Sequence, residues 1–175
     1  NVIFLHGLGQ VLQIGMKQFH TAEDTKAYCP NLFDFSTDSS ITYKNIYFAL
    51  EEYVDKFSEP VSFCGISLGA VLALDYTIRH AEKTFKGSGI MKHDQSNDSM
   101  ATLDFRQDLS NILCPVLIIC GKKDIANKKA ARALAKNISN ARLCLIDNAG
   151  HEVNRTAPEK LAKELLRMNF ADDAV

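Results

Sequence analysis

The 175-residue chain reads as an α/β protein built on a mostly parallel, doubly wound sheet in three layers. Two observations predict this. Short apolar, β-branched runs alternate along the chain with longer helix-forming runs, the order expected of successive βα units. The strand-like runs are also apolar throughout rather than at every second position, as in strands covered by helices on both faces.

"NVIFLHG" (1–7) is a short apolar strand ending in glycine, and "AYCPNLFDF" (27–35) is a second, bent by Pro30. "ITYKNIYFALEEYVDKF" (41–57) carries Ile46, Leu50, Val54 and Phe57 as a helical stripe. "EPVSFCGI" (59–66) is a third strand, and a helix runs from Ser67 to about His80. "KTFKGSGIM" (83–91) holds a fourth strand, weakened by Gly87 and Gly89. "CPVLIICG" (114–121) is strongly apolar and stops at Gly121; "NKKAARALAKNI" (127–138) is alanine-rich and helical. "ARLCLID" (141–147) is the last strand, and "TAPEKLAKELLRMN" (156–169) the closing helix. Thr156 with Glu159 spells a capping box there, with Pro158 in the first turn.

Length and composition set the outer bounds. A chain of this size buries roughly 70% of its unfolded surface and fits one domain over residues 1–175. Hydrophobic content of 46%, charged content of 23% and a net charge of −1 give no electrostatic case for nucleic acid or an anionic membrane. Apolar runs such as "PVLIIC" are too short to span a bilayer. The five cysteines (29, 64, 114, 120 and 144) form no CxxC pair, and most sit in strand-like runs. Buried, reduced thiols in a reducing compartment such as the cytoplasm are the expectation, with no metal site. The polar stretch 91–111 lacks periodicity and reads as a surface excursion.

The chemistry gathers at strand ends. "VSFCGISLGAVLALDYTIRH" (61–80) turns from strand to helix at Ser67. In a parallel sheet, catalytic groups collect at the carboxyl ends of strands. A nucleophilic serine on a tight strand-to-helix turn needs small neighbours two residues either side, and Gly65 and Gly69 supply them. From this motif alone, a turn that merely contains serine stands as the alternative. Three other strand ends add to it. "FLHGLG" offers a glycine-rich turn, "GKKD" places Asp124 just past a strand, and "NAGH" does the same for His151. A serine needs a base to take its proton, and the base needs an acid to hold its tautomer.

"HGLG" (6–9), "GISLG" (65–69), "GKKD" (121–124) and "AGH" (149–151) together resemble the α/β-hydrolase family. The resemblance implies Ser67 as nucleophile, His151 as general base and then acid, and Asp124 as the orienting carboxylate. It also implies an oxyanion hole from the Leu68 N–H and a second donor from Leu8 or Gly9, with no cofactor. The expected function is a serine hydrolase acting on a small-molecule carboxylic ester or thioester, and the alternative is a binder of the same fold with an idle or slow triad. The chain starts at what would be the family's third strand, and only 57 positions separate Ser67 from Asp124, which leaves no room for a helical lid. A compact, lidless member is expected, or one in which 91–111 forms a short flap. An edge exposed by missing strands could be covered in a homodimer.

Other candidates weigh less. His6 shapes its turn by hydrogen bonding, His20 and His80 are surface or helix-end residues, and His93 with Asp94 lies in a solvated loop. Asp147 competes with Asp124 as the acid. Cys64 points toward packing, and "KKDIANKK" is a solvated loop and helix start. GxxxxGK[ST] and GxGxxG are both absent, which removes support for a kinase or a dehydrogenase.

Overall fold

The computed structural model describes residues 1–7, 26–35, 41–90 and 103–168. Six parallel strands form one sheet in the order β2-β1-β3-β4-β5-β6. They are β1 (Val2–Leu5), β2 (Ala27–Tyr28), β3 (Val61–Ile66), β4 (Thr84–Ile90), β5 (Val116–Gly121) and β6 (Ala141–Ile146). The helices are α1 (Tyr43–Val54), α2 (Leu68–Arg79), α3 (Ile125–Asn137), the single turn α4 (Val153–Thr156) and α5 (Pro158–Arg167).

Strand alternation divides the core between the two faces of the sheet. Ile3 and Leu5 of β1 and Val61 and Phe63 of β3 meet Ile46, Leu50 and Val54 of α1 and Leu68 and Leu72 of α2. Ile118 and Cys120 of β5 pack with Leu74 of α2 and Ala131 and Leu134 of α3. Their neighbours in sequence face the other way: Val2, Phe4, Cys64, Ile66, Leu117 and Ile119 pack with Leu161 and Leu165 of α5. Sheet and two helical layers therefore match the three-layer expectation, and Cys64 packs as its alternation implied.

Three expectations are corrected. The second strand ends at Tyr28 rather than Phe35, because Pro30 brings no backbone N–H and residues 32–35 turn, burying Leu32. β4 is a full seven-residue strand between β3 and β5 despite its glycines. A Cβ on Gly89 would stand 3.0 Å from the Ala70 side chain, so the glycine lets α2 pack close. The Thr156 capping box does not form: Thr156 closes α4, its hydroxyl donating to Glu152 O at 2.9 Å, and Ala157 is the N-cap of α5.

Residues 91–102 lie outside the described residues, and with them His93 and Asp94. The rest of the polar stretch is anchored, with Leu103 and Phe105 against the core and Leu109 buried in a short 3₁₀ turn. None of the five cysteines, all of them among the described residues, forms a disulfide. Cys64 and Cys120 are buried as expected, whereas Cys29 is exposed and Cys114 and Cys144 are half-buried. Among the described residues no helix is long and apolar enough to cross a membrane.

Candidate functional site

The carboxyl ends of β3, β5 and β6 carry Ser67, Asp124 and His151 respectively, on one rim of the parallel sheet. Ser67 joins β3 to α2 with φ 54° and ψ −116°, a backbone conformation that side chains rarely adopt. Strain of this kind costs roughly 1–3 kcal/mol and persists only where surrounding structure holds it. Here the hold comes from tight packing. A Cβ on Gly65 would lie 2.5 Å from Ala70 Cα, and one on Gly69 only 2.1 Å from Leu5 O. Both glycines thus bring α2 down onto β1 and β3, as the elbow motif requires. Ser67 O accepts from Ala70 N and Val71 N, starting the helix. The Leu68 N–H, one residue further on, finds no acceptor among the described residues.

Asp124 is buried and serves two neighbours at once. As N-cap of α3 it accepts from the Asn127 N–H at 3.2 Å, and Asn127 Nδ2 lies 2.8 Å from each of its carboxylate oxygens. Oδ2 also faces His151 Nδ1 at 3.3 Å. A carboxylate oxygen accepting there places the imidazole proton on Nδ1 and leaves Nε2 as the basic nitrogen. His151 is a quarter exposed, with Asp124 beneath it.

Two contacts lock the acid loop to the histidine loop. Lys122 N donates to Ile146 O and Lys123 N to Ala149 O, each at 2.9 Å. Gly121 makes this approach feasible, since a Cβ there would sit 2.2 Å from Gly150 O and 2.3 Å from Ala149 O. The turn after β6 is set by Asn148 at φ 64°, a left-handed conformation that asparagine tolerates.

Asp147 is not at this site. It is exposed and pairs with Lys122 Nζ at 2.7 Å, which holds its carboxyl below the usual aspartate range. That leaves Asp124 as the carboxylate beside the histidine. Among the described residues no hydrogen bond joins Ser67 Oγ to His151. Leu8 and Gly9, expected to give the second oxyanion donor, lie outside the described residues, as does His20.

His6 does what its turn suggests. Leu32 N–H donates to Nε2 at 2.9 Å, so Nδ1 carries the proton and donates to Gly7 O at 2.8 Å. His80 caps the end of α2 and bonds Glu51 of α1 through Nε2 at 2.8 Å. Among the described residues no cluster of histidine, cysteine and carboxylate side chains could hold a metal ion.

Solved structures with this arrangement of elements include MGS-MChE2, an α/β-hydrolase enzyme from the metagenome of lagoon sediments at Mar Chica, Morocco. It superposes at a TM-score of 0.83 over 95% of this chain and 89% of its own, with 22% identity. The fold is the α/β-hydrolase fold. A lipase-esterase related protein from Clostridium acetobutylicum shares the α/β-hydrolase architecture at 0.74, covering 95% and 93% of the two chains with 14% identity. Est816, described as an N-acyl homoserine lactone degrading enzyme, does so at 0.78, covering 96% and 92% with 16% identity. Among curated proteins, the cattle (Bos taurus) monoacylglycerol lipase ABHD6 is 39% identical over 61 residues, 34% of this chain. That match spans only 18% of the relative's length. No family model matches the chain.

Sequence reasoning missed Gly121 as the packing point between the two loops, and Asn127 as the partner of Asp124. A glycine ending a strand reads simply as a stop. Asn127, three residues past the acid inside a basic run, carries a signal only once Asp124 is recognised as an N-cap.

Proposed function

We propose that the chain is a serine hydrolase that cleaves a carboxylic ester or thioester through an acyl-enzyme, with Ser67, His151 and Asp124 as its triad. The observation that carries the reading is the strained backbone at Ser67, φ 54° on a strand-to-helix turn, on the same sheet rim as the His151–Asp124 pair. In this mechanism Ser67 Oγ attacks the carbonyl carbon while His151 Nε2 takes its proton. The oxyanion receives the Leu68 N–H and a second backbone N–H from Leu8 or Gly9. His151 returns the proton to the departing alkoxide or thiolate, leaving the acyl group on Ser67. Water, deprotonated by His151, then attacks the acyl carbon and releases the acid and the free serine. Asp124 holds the imidazole through Nδ1–H and steadies the imidazolium each time it forms. No step requires a cofactor. The lipase, esterase and lactone-degrading descriptions of the relatives support an ester-type substrate.

The test is hydrolysis of a short and a long p-nitrophenyl acyl ester by wild type and Ser67→Ala. Turnover by wild type, lost in the variant, supports the proposal; equal rates for the two reject it.

A second reading, a slow or idle hydrolase-like binder, is favoured by one observation: among the described residues Ser67 Oγ and His151 share no hydrogen bond. Catalytic hydrogen bonds often tighten only when substrate is present, so the hydrolase reading takes precedence. Saturable binding of an ester without turnover would reverse that order.

A further inference from the structure

Asn127 makes a contact that the triad roles alone do not explain. It is the third residue of α3 and only 4% exposed. Capping the helix needs a single backbone donor into the Asp124 carboxylate, and the Asn127 N–H to Oδ1 supplies it. The side-chain amide adds more: Nδ2 sits 2.8 Å from both Oδ1 and Oδ2, astride the fork of the carboxylate.

We propose that Asn127 is a positioning residue that fixes the rotation of the Asp124 carboxylate, so that Oδ2 stays aimed at His151 Nδ1. The proposal rests on the reading of Ser67, His151 and Asp124 as a triad. The terminal torsion of an aspartate is broad and roughly two-fold, so the backbone cap alone leaves the second oxygen poorly fixed. The Oδ2 to Nδ1 contact, at 3.3 Å, is long and weakens steeply with misalignment. A donor held 2.8 Å from both oxygens removes that rotation. Burial of Asp124 keeps bulk water from substituting for the amide. Asn127 acts through Asp124 on the orientation of His151, so its loss lowers the rate of proton transfer while leaving ground-state binding alone.

The experiment compares wild type with Asn127→Leu and Asn127→Asp on p-nitrophenyl butyrate, with melting temperature measured in parallel. Asn127→Leu removes the side-chain donors at similar volume; Asn127→Asp preserves shape and the backbone cap but places acceptors against the carboxylate. Both are expected to lower kcat about tenfold, the loss of one hydrogen bond to a charged group, with KM within about twofold of wild type. Ala131→Gly, buried in the same helix, is the stability control: it lowers the melting temperature but retains kcat. If the Leu variant fails to fold, the Asp variant carries the test. Asn127 variants that melt earlier yet keep wild-type kcat would overturn the proposal and leave Asn127 a purely structural residue. Ser67→Ala runs beside them. If it hydrolyses the ester as fast as wild type, the triad reading fails and this proposal fails with it; if it is inactive, only the Asn127 variants decide.

Discussion

Replacing Gly121 by alanine tests whether the tight approach of two loops is what builds the histidine–carboxylate pair. The new Cβ would lie 2.2 Å from Gly150 O, 2.3 Å from Ala149 O and 2.6 Å from Ala149 C. All three are backbone atoms immediately before His151, so no side chain can swing aside. To reach even 3.0 Å the loop must retreat by about 0.8 Å from Gly150 O. The His151 Nδ1 to Asp124 Oδ2 separation is already 3.3 Å, so a retreat of this size breaks that hydrogen bond. Overpacking of this kind costs about 1–3 kcal/mol, roughly 3–9 °C in melting temperature for a chain of this size. A displacement near 1 Å at a catalytic group costs on the order of 100-fold in rate. The assay is steady-state ester hydrolysis with thermal unfolding followed by circular dichroism. Gly87→Ala is the control, since its Cβ would meet only Val116 Cγ2, at an ordinary 3.9 Å. It is expected to keep the rate and gain about 0.4–1 kcal/mol. A Gly121→Ala protein with wild-type rate would show that the close approach of the two loops is not what builds the His151–Asp124 pair.

Asp147→Asn is expected to leave both ester hydrolysis and melting temperature at wild-type values, because its partner Lys122 is an exposed surface lysine; loss of activity would return Asp147 to the acid role. Glu164 receives Arg142 at 2.9 Å and Arg167 at 2.6 Å, and these guanidiniums hold its carboxyl below the usual 4.5. A depressed carboxyl contributes stability above its unfolded-state value and loses it as pH falls through the folded one. Glu164→Gln should therefore be less stable than wild type at pH 7 in urea unfolding, with the gap closing below about pH 4.5; a gap constant down to pH 3 would contradict the pairing. Asp75→Ala removes a buried acceptor shared by the Tyr43 hydroxyl at 2.9 Å and Arg79 Nε at 2.6 Å, joining α1 to α2. It should cost about 2 kcal/mol in urea unfolding, and a cost near zero would show that the helices do not need the bridge.

The parts of the fold legible in the sequence were those decided locally. Apolar runs and helical stripes located all six strands and the long helices, because period and length are properties of the segment itself. The elbow was legible for the same reason: Gly65, Ser67 and Gly69 lie within five consecutive residues, and the space they must leave follows from one turn. The second strand was overextended because periodicity does not register that Pro30 has no donor for the ladder. The capping box at Thr156 was misread because a one-turn helix, α4, claims that threonine as its last residue, and no pattern in four residues announces it. Gly121 escaped notice because its partners, Ala149 and Gly150, come from another strand end, and only the folded sheet sets them against it. Asp124 was favoured over Asp147 in the sequence because Asp147 lies only four residues before His151 on the same strand end; the fold sets Asp124 beside His151 and leaves Asp147 paired with Lys122.

Covalent trapping at the elbow would show directly whether Ser67 is a nucleophile. Wild type and Ser67→Ala would be incubated with a fluorophosphonate, and intact mass and peptide mapping would locate any adduct. One phosphonyl group per wild-type chain is expected, on Ser67, and none on the variant. An unlabelled wild-type chain, or equal labelling of both proteins, would contradict a nucleophilic Ser67.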